Sequence, residues 1–453
     1  MKSFRALCLA SVLAGCAGPR PAVPPLASVE AQERWRGNGG TPIAIDGEWW
    51  RQFGDPVLDA LVAKALERNT DLLIAGTKVA EARAQFRQAA SRLLPSVGID
   101  GRGGRSRSVN LFGVGVDQTQ AAGELTISYE VDLFGRISAT SDAARKAFQA
   151  SEFARDATRI TLTATVVSGY ALLRGLDEQL LLVEETVKSR ELELGVIRRR
   201  TDAGYGSKLE LAQAQAALEA AARLVPATRR SISQQENALS VLVGDMPGEI
   251  LRGERLESLL RIAVPGALPS ELVRRRPDIA KAEMRLASTD RSLDAARARF
   301  LPTLQLSGTV GGVASTLLGN PISLFSLGGS ILAPLFQGGE LRAQADASAA
   351  RRDAAAFAYR GTVLTAFEEV ENAMTGVARL SQEQDALDRQ VVATATALDL
   401  ARRRYRSGYS SYLEQLDAER SLLEVRLQAL SNRSERVTAV IALYRSLGGG
   451  WTR

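Results

Sequence analysis

The pattern of apolar and polar positions predicts long amphipathic helices separated by a few short strands. Apolar residues recur at three- and four-residue spacing through most of the chain, which is typical of helices that bury one face. The predicted helices cover residues 70–92, 137–201, 207–243, 277–300, 341–406 and 411–446. Alanine-rich helices of this length, as in AQADASAARRDAAAFA, must pack closely against similar helices. On the helices alone, the sequence would indicate a soluble coiled-coil rod.

Four shorter segments alternate between apolar and polar residues. In ELTISYEVDL, which starts at Glu124, every second residue is apolar and the others are polar. The same alternation occurs in SVGIDGR from Ser96, in TLQLSGTV from Thr303 and, more weakly, in FSLGGSIL from Phe325. Such strands are typical of a barrel with lipid outside and water inside, and a small soluble sheet packed on helices is the alternative. Four strands cannot close a barrel and eight would leave a filled interior, whereas three chains would give twelve strands and a channel.

The chain is an internal duplication. RRRTDAGYGSKLELAQAQAAL from Arg198 aligns without a gap with RRRYRSGYSSYLEQLDAERSL from Arg402. The segments that begin at Asn69 and Arg276 align in the same way, and the pair Leu133-Phe134 returns as Leu335-Phe336. Each copy is predicted to run helix, strand, strand, long helix, turn and helix.

The N-terminus has the features of a bacterial lipoprotein signal. Lys2 and Arg5 precede an apolar run that is too short to span a membrane, and the tetrapeptide Leu-Ala-Gly-Cys ends it at Cys16. This tetrapeptide resembles the lipobox, in which the cysteine thiol is acylated and becomes the first mature residue. An ordinary signal peptide is the alternative. We predict a covalent lipid on Cys16, which leaves the mature chain without a free thiol or a disulfide.

Composition argues against several classes of function. The chain has no histidine, and Cys8 would leave with the signal, so the commonest general base and the soft metal ligands are missing. We predict no enzyme, no metal and no cofactor other than the lipid. The net charge of +6 contains no long single-sign run, which predicts no nucleic-acid partner. After the signal no apolar stretch suits a transmembrane helix, so a membrane-spanning part would have to be a β-barrel.

The sequence resembles the outer membrane factor family, the exit ducts of tripartite efflux and type I secretion machines, and in particular its lipoprotein branch. The resemblance is carried by WWRQFGDPVLDALVAKALERNTDL from Trp49, YEVDLFGR from Tyr129, ELVRRRPDIAKAE from Glu271 and both copies of the tip. It implies an α+β membrane protein that forms a homotrimer in the outer membrane of a Gram-negative bacterium. Four strands per chain would build a twelve-stranded β-barrel, continued by a long periplasmic α-helical barrel with an equatorial belt.

The implied function is a passive conduit, gated at its periplasmic tip, that exports small toxic compounds such as drugs or metal ions. The implied partners are a periplasmic adaptor, a proton-driven inner-membrane pump and outer membrane lipid. A type I secretion duct and a lipid-anchored periplasmic scaffold that never inserts are the alternatives. A scaffold would wash off the membrane once the lipid is removed, because one anchor holds weakly.

The predicted boundaries follow the duplication. Residues 1–15 form the signal peptide, and 16–68 form the lipidated segment with part of the equatorial belt. Residues 69–244 form the first repeat, with strands near 95–133 and a tip near 204. An equatorial linker covers 245–275. Residues 276–447 form the second repeat, with strands near 302–333 and a tip near 408, and 448–453 form the C-terminal tail.

The resemblance assigns the two tips to adaptor docking and to gating. Each glycine would let its hairpin turn, and the family docks its adaptor there; the docking residues are Gly204, Tyr205, Leu209, Glu210, Gly408 and Tyr409. Leu413 and Asp417 fall where the family places its apolar and acidic constriction rings, and Glu414 adds a neighbouring carboxylate. The first copy has Gln213 in place of the acid at Asp417. The second hairpin is therefore predicted to be the inner, gating one.

Overall fold

Long helices and one four-stranded sheet make up the part of the chain that the computed structural model describes, residues 19–29, 34–36, 45–266 and 269–451. The first repeat and the segment before it contain α1 Pro56–Arg68, α2 Thr70–Ser91, β1 Ser96–Val109, β2 Gly115–Val131, α3 Arg136–Asp202, α4 Lys208–Ala222 and α5 Leu224–Leu242. The linker contains α6 Leu256–Leu259 and α7 Pro269–Arg275. The second repeat contains α8 Pro277–Ala298, β3 Thr303–Ser315, β4 Ile322–Leu332, α9 Glu340–Arg406 and α10 Tyr412–Ser446.

The α+β prediction is confirmed, and one predicted helix is corrected. The segment predicted as a single helix over 207–243 is two helices, α4 and α5, interrupted at Arg223. Pro226 explains the interruption, because its ring nitrogen cannot donate to the carbonyl of Ala222, where α4 ends, and its ring crowds that carbonyl. Arg223 keeps right-handed helical backbone angles, φ −62° and ψ −22°. The chain therefore continues in helical geometry through the interruption without turning back.

The four strands form one antiparallel sheet in the order β1-β2-β3-β4. Its register places Ile99 opposite Leu125, Leu125 opposite Val310, and Val310 opposite Phe325. A continuous row of large apolar side chains therefore crosses one face of the sheet. The next residues along β1 and β2, Asp100 and Glu124, are paired on the other face. The predicted alternation is thus expressed where this row crosses all four strands.

The described chain divides into two compact units, which do not coincide with the two sequence repeats. One unit contains residues 19–29, 77–153 and 280–362, including the sheet. The other contains residues 34–36, 45–76, 154–266, 269–279 and 363–451, including both helical tips. Each unit contains segments from both repeats. The predicted boundaries therefore describe the duplication in the sequence and not these two units.

The core of the second unit explains the motif that begins at Trp49. The Trp49 ring is buried and stacks on the Tyr444 ring with centroids 4.8 Å apart. Asp55 caps α1 by accepting from the amides of its first turn and also accepts from the Tyr170 hydroxyl at 2.7 Å. The amide of Gly253 donates to that hydroxyl at 2.9 Å. A Cβ at Gly253 would lie 2.1 Å from the Asp55 carboxylate, so only glycine fits there.

The RRRPD sequence begins α8, as expected for proline at a first helical position. Arg276, just before the helix, is buried and pairs with Asp278 at 2.6 Å and with Glu369 at 2.7 Å. It also donates to the carbonyl of Ser446 at 3.0 Å. This arginine therefore ties the start of α8 to α9 and to the end of α10 within the second unit.

Candidate functional site: the helical hairpin tips

Both hairpins turn through the same backbone motif. At the end of α3, the amides of Gly204 and Tyr205 donate to carbonyls of the last helical turn at 3.0 and 2.8 Å. At the end of α9, Gly408 and Tyr409 do the same at 3.0 and 2.9 Å. This is the Schellman pattern, in which the residue after the helix is left-handed. The two glycines have φ of 81° and 79°, so the duplicated glycine serves the turn in both copies.

The helices that leave the two turns begin differently. The Ser207 hydroxyl accepts from the amide of Leu209 at 3.1 Å and caps α4. Ser411, at the same position before α10, makes no side-chain cap. A Cβ at Gly206 would lie 2.8 Å from the backbone nitrogen of Thr201, whereas Ser410 occupies the equivalent position in the second copy. The first turn is therefore packed more tightly against its own helix end.

Most of the predicted docking residues project into solvent. Tyr205 and Tyr409 are 82% and 81% exposed, and Leu209 is also exposed. These side chains present apolar groups at both turns. Glu210 differs from them, because its carboxylate accepts from the Tyr405 hydroxyl at 3.3 Å. The structure thus places one predicted docking residue in a contact between the two hairpins.

The predicted gate residues lie on the exposed face of α10. Leu413 is 54% exposed, and Glu414 forms an exposed ion pair with Arg404 at 3.4 Å. Asp417 is exposed and forms no hydrogen bond or ion pair with the residues of 45–266 and 269–451. Leu413 and Asp417 are four residues apart, so they share a helix face. The structure therefore brings the three predicted gate residues together on one surface.

Tyr405 connects the two hairpins at the tip. Besides donating to Glu210, its hydroxyl accepts from the Arg200 guanidinium at 3.3 Å, and that guanidinium lies 5.6 Å from the centre of its ring. The Tyr405 ring also packs against the Tyr412 ring with centroids 5.6 Å apart. Burial, together with the Glu210 carboxylate, raises the pKa of Tyr405, so its hydroxyl stays a hydrogen-bond donor at neutral pH.

A buried charge cluster lies next to this contact and consists of Arg190, Glu193, Arg402, Gln415 and Glu419. The Glu419 carboxylate is buried, contacts Arg190, and accepts from Arg402 at 3.2 and 3.0 Å. Arg190 also pairs with Glu193 at 3.4 Å. The Gln415 amide donates to Glu193 and, at 3.0 Å, to Glu419. The cluster therefore joins α3, α9 and α10 through charge-assisted hydrogen bonds.

Burial shifts the titration of the groups in and beside this cluster. It raises the pKa of Glu193, an effect that Arg190 and Arg402 partly offset. Burial and the Glu193 carboxylate raise the pKa of Tyr412 to about 12. The ionised form of Glu193 is therefore less favourable here than in water.

This cluster was not among the predicted site residues, although the sequence of α10 indicates it. Tyr412, Leu416 and Glu419 follow the three- and four-residue spacing of the buried face of α10, so a glutamate falls where an apolar residue is expected. The aligned positions of the first hairpin hold Leu211 for Gln415 and Gln215 for Glu419. Gln415 in place of an apolar residue, together with a charged Glu419 on the same apolar face, would have indicated a buried pairing.

Comparison with known proteins identifies the family. A profile described as "Outer membrane efflux protein" matches residues 61–245 and 268–449. The chain belongs to the outer membrane efflux protein family. It is 32% identical over 457 residues to the toluene efflux pump outer membrane protein TtgC of Pseudomonas putida, covering 98% of this chain and 94% of that protein. It is 31% identical over 453 residues to the cation efflux system protein CusC of Escherichia coli, covering 98% of both.

The solved structures agree with this membership. The open state of the MtrE outer membrane channel of Neisseria gonorrhoeae matches with a TM-score of 0.82 and 33% identity, covering 96% of this chain and 98% of that one. The predicted family, outer-membrane location and efflux role are thereby confirmed. The family is one of membrane channels and not of enzymes. No helix among the described residues is both long and apolar enough to cross a membrane.

Proposed function

We propose that three copies of the chain form a passive, periplasmically gated duct that carries small toxic compounds across the outer membrane. Four strands from each chain close a twelve-stranded barrel, and the helices continue it as a tunnel. Relatives named for toluene efflux and for cation efflux support drugs or metal ions as the exported compounds. The proposal includes no catalytic step, and its only cofactor is the lipid on Cys16.

The two-faced sheet carries this proposal. Its apolar row is open to solvent in the single chain, with Ile99 and Phe325 84% and 86% exposed. A soluble sheet would cover such a face with other elements, whereas a lipid-facing strand leaves it bare. The opposite face holds Arg102, which pairs with Asp100 at 3.1 Å and with Glu124 at 3.4 Å, and such a charged face suits a water-filled lumen.

Membrane extraction and bilayer recording test the proposal together. Cys16→Ser protein should stay in the outer membrane fraction after carbonate washing, because the strands hold it there, and the purified trimer should conduct in planar bilayers. A variant that washes off as a monomer would instead support the periplasmic scaffold, since a single lipid anchor alone binds weakly.

The second hairpin is the proposed gate. In a trimer, Glu414 and Asp417 would bring six carboxylates toward the axis beside an apolar ring of Leu413. Acidic rings favour cations, and apolar rings gate by dewetting. Leu413→Ala should raise the single-channel conductance, and Asp417→Asn should weaken the cation preference, without change in trimer yield. Recordings of both variants that match the parent would leave this surface as a docking site only.

The exposed turn residues are the proposed docking surface for a periplasmic adaptor, which would link the duct to a proton-driven inner-membrane pump. Tyr205, Leu209 and Tyr409 provide exposed apolar groups at the turns that Gly204 and Gly408 shape. In-cell photo-crosslinking from Tyr205 and Tyr409 should capture a periplasmic protein. An equal yield from an exposed position far from the turns would argue against docking here.

The lipid anchor is proposed for Cys16, which lies outside the described residues. The chain that follows it is held on the first unit, where the buried Arg352 donates to the carbonyls of Pro21 and Ala22 at 3.0 Å each. Arg20 pairs with Asp290 at 2.6 Å. Mass spectrometry of the mature N-terminus should show an acylated cysteine, and an unmodified N-terminus at another residue would contradict the anchor.

A further inference from the structure

A cleft of about 330 Å³ lies in the first unit, beside one end of the sheet. Arg136 stands at the start of α3, soon after β2 ends, and Arg299 stands between the end of α8 and the start of β3. Val131 at the end of β2 pairs with Leu304 at the start of β3, so both arginines lie just beyond the same end of the sheet. Arg351 of α9 completes the lining. This volume is within the range of small-ligand pockets.

The cleft combines positive charge with an apolar floor. Arg136 binds both carboxylate oxygens of Glu130, at 2.6 and 2.7 Å. Arg299 donates to the neutral amide oxygen of Gln344 at 2.7 Å. Arg351 is exposed and has no hydrogen bond or ion pair within the described ranges. Among the described residues, Glu130 is thus the one carboxylate that contacts any of the three guanidinium groups, and it contacts Arg136 alone. The floor between the arginines is formed by alanines, Ala143, Ala295, Ala296 and Ala347.

The position of Glu130 in the sheet shows on which face of the sheet the cleft lies. Glu130 lies on the same face of β2 as Glu124, because residues an even number apart share a face. That face also carries Asp100 and Arg102, whereas the opposite face carries the apolar row. The bond from Arg136 to Glu130 therefore places the cleft on the polar side. Under the proposed function, the polar side is the lumen.

The N-terminal segment gives an independent indication of the same side. Arg20 binds Asp290 and Asp294 on α8, at 2.6 and 3.3 Å, and the chain from there leads back to Cys16. At about 100° per residue, Ser292 and Ala296 of the cleft project from roughly the opposite side of α8. A lipid on Cys16 must reach the membrane from the side where Arg20 binds. On α8, the cleft is therefore on the side away from the Arg20 contact.

We propose that this cleft is a lumenal binding subsite for organic carboxylates, that is, compounds with a carboxylate on a small apolar body. The inference rests on the proposed function, which identifies the lumen. A guanidinium binds a carboxylate through two parallel hydrogen bonds, and the alanine floor accepts the apolar body. Three clefts in a trimer form a positive zone in the duct. That zone offers passing organic anions a favourable site.

Titration of the purified, full-length trimer with salicylate, and with its neutral amide salicylamide, tests the subsite. The variant Arg299→Gln with Arg351→Gln keeps the Arg136–Glu130 pair and removes the other two charges. It should bind salicylate about tenfold more weakly or worse than the parent. Arg105→Gln is the matched control, because Arg105 is exposed and lies on the apolar face of β1. It should leave salicylate binding unchanged.

Two results would overturn the subsite: equal salicylate affinity in the parent and the double variant, or salicylamide binding as tightly as salicylate. Conductance recorded on the same preparations separates this inference from the proposed function. If the parent protein binds salicylate but never conducts, the proposed duct is contradicted and the anion site is not. A parent that conducts, with salicylate binding insensitive to the arginine pair, would contradict only the subsite.

Discussion

Glu419→Gln is expected to weaken strongly the contacts that the buried charge cluster makes between the two hairpins. The Arg190 side chain is only 7% exposed, and it would lose its partner carboxylate while keeping its own charge. Leaving a buried charge without its partner costs about 3 to 5 kcal/mol. Arg190 retains Glu193 at 3.4 Å, and Arg402, at 38% exposure, is free to turn toward water. Both effects reduce the loss of stability, so we expect Glu419→Gln to cost about 3 kcal/mol, the lower end of that range.

Hydrogen exchange is the suitable assay, because it measures local opening within a large protein that does not unfold in one step. A cost of about 3 kcal/mol corresponds to exchange about 100-fold faster in peptides covering residues 186–200 and 412–423. Peptides from the sheet should be unaffected. The measurement uses the purified full-length protein at neutral pH.

Glu414→Gln is the matched control on the same helix. Its pair with Arg404 is exposed on both sides, at 45% and 59%, so the same chemical change should cost less than about 1 kcal/mol. High salt should weaken the Glu414 pair further and leave the buried cluster nearly unchanged. Similar small effects of the two substitutions would show that the cluster does not hold the hairpins together.

Three further outcomes follow from the structure. Gly408→Ala should destabilise by about 1 kcal/mol, because φ is 79° there, whereas Gly361→Ala inside α9 should stabilise slightly; equal shifts in melting temperature would contradict this. Because the pKa of Glu193 is raised, the folded state binds its proton more readily than the unfolded state, so stability should rise as the pH falls from that raised pKa toward 4.5. Glu193→Gln should remove this contribution and raise the melting temperature at pH 7; a variant whose melting temperature changes with pH as much as that of the parent would contradict it. Ile127→Lys should cost about 2 to 4 kcal/mol in the membrane and Thr126→Lys much less, and equal trimer yields would contradict a lipid-facing row.

The helices and strands could be predicted from the sequence because the patterns that indicate them are local. Periodicity of apolar residues decides where a helix or strand forms, so α2, α3, α8, α9 and α10 lie within two residues of their predicted bounds. The sheet faces were predictable for the same reason, since alternation fixes which residues share a side. The turns at Gly204 and Gly408 were predictable because a left-handed position strongly favours glycine.

Features that depend on distant partners were not predictable in the same way. The interruption between α4 and α5 is different: it is a local feature that Pro226 predicts, and it was missed because the periodicity continues across it. The buried charge cluster depends on Arg190 and Glu419, which are far apart in sequence and meet only through packing. The contact of Glu210 with Tyr405 likewise joins two residues that are far apart in sequence and meet only through packing.

The duplication accounts for both the likeness and the difference between the two tips. A turn depends on its own backbone, so each copy keeps its glycine independently. A contact between the copies needs complementary groups, and identical copies would present like groups to each other. Arg190 aligns with Thr394 in the second copy, and Glu419 aligns with Gln215 in the first, so each charged partner exists in one copy only. Packing of one hairpin against the other therefore favours divergence of the buried side chains while the turns stay the same.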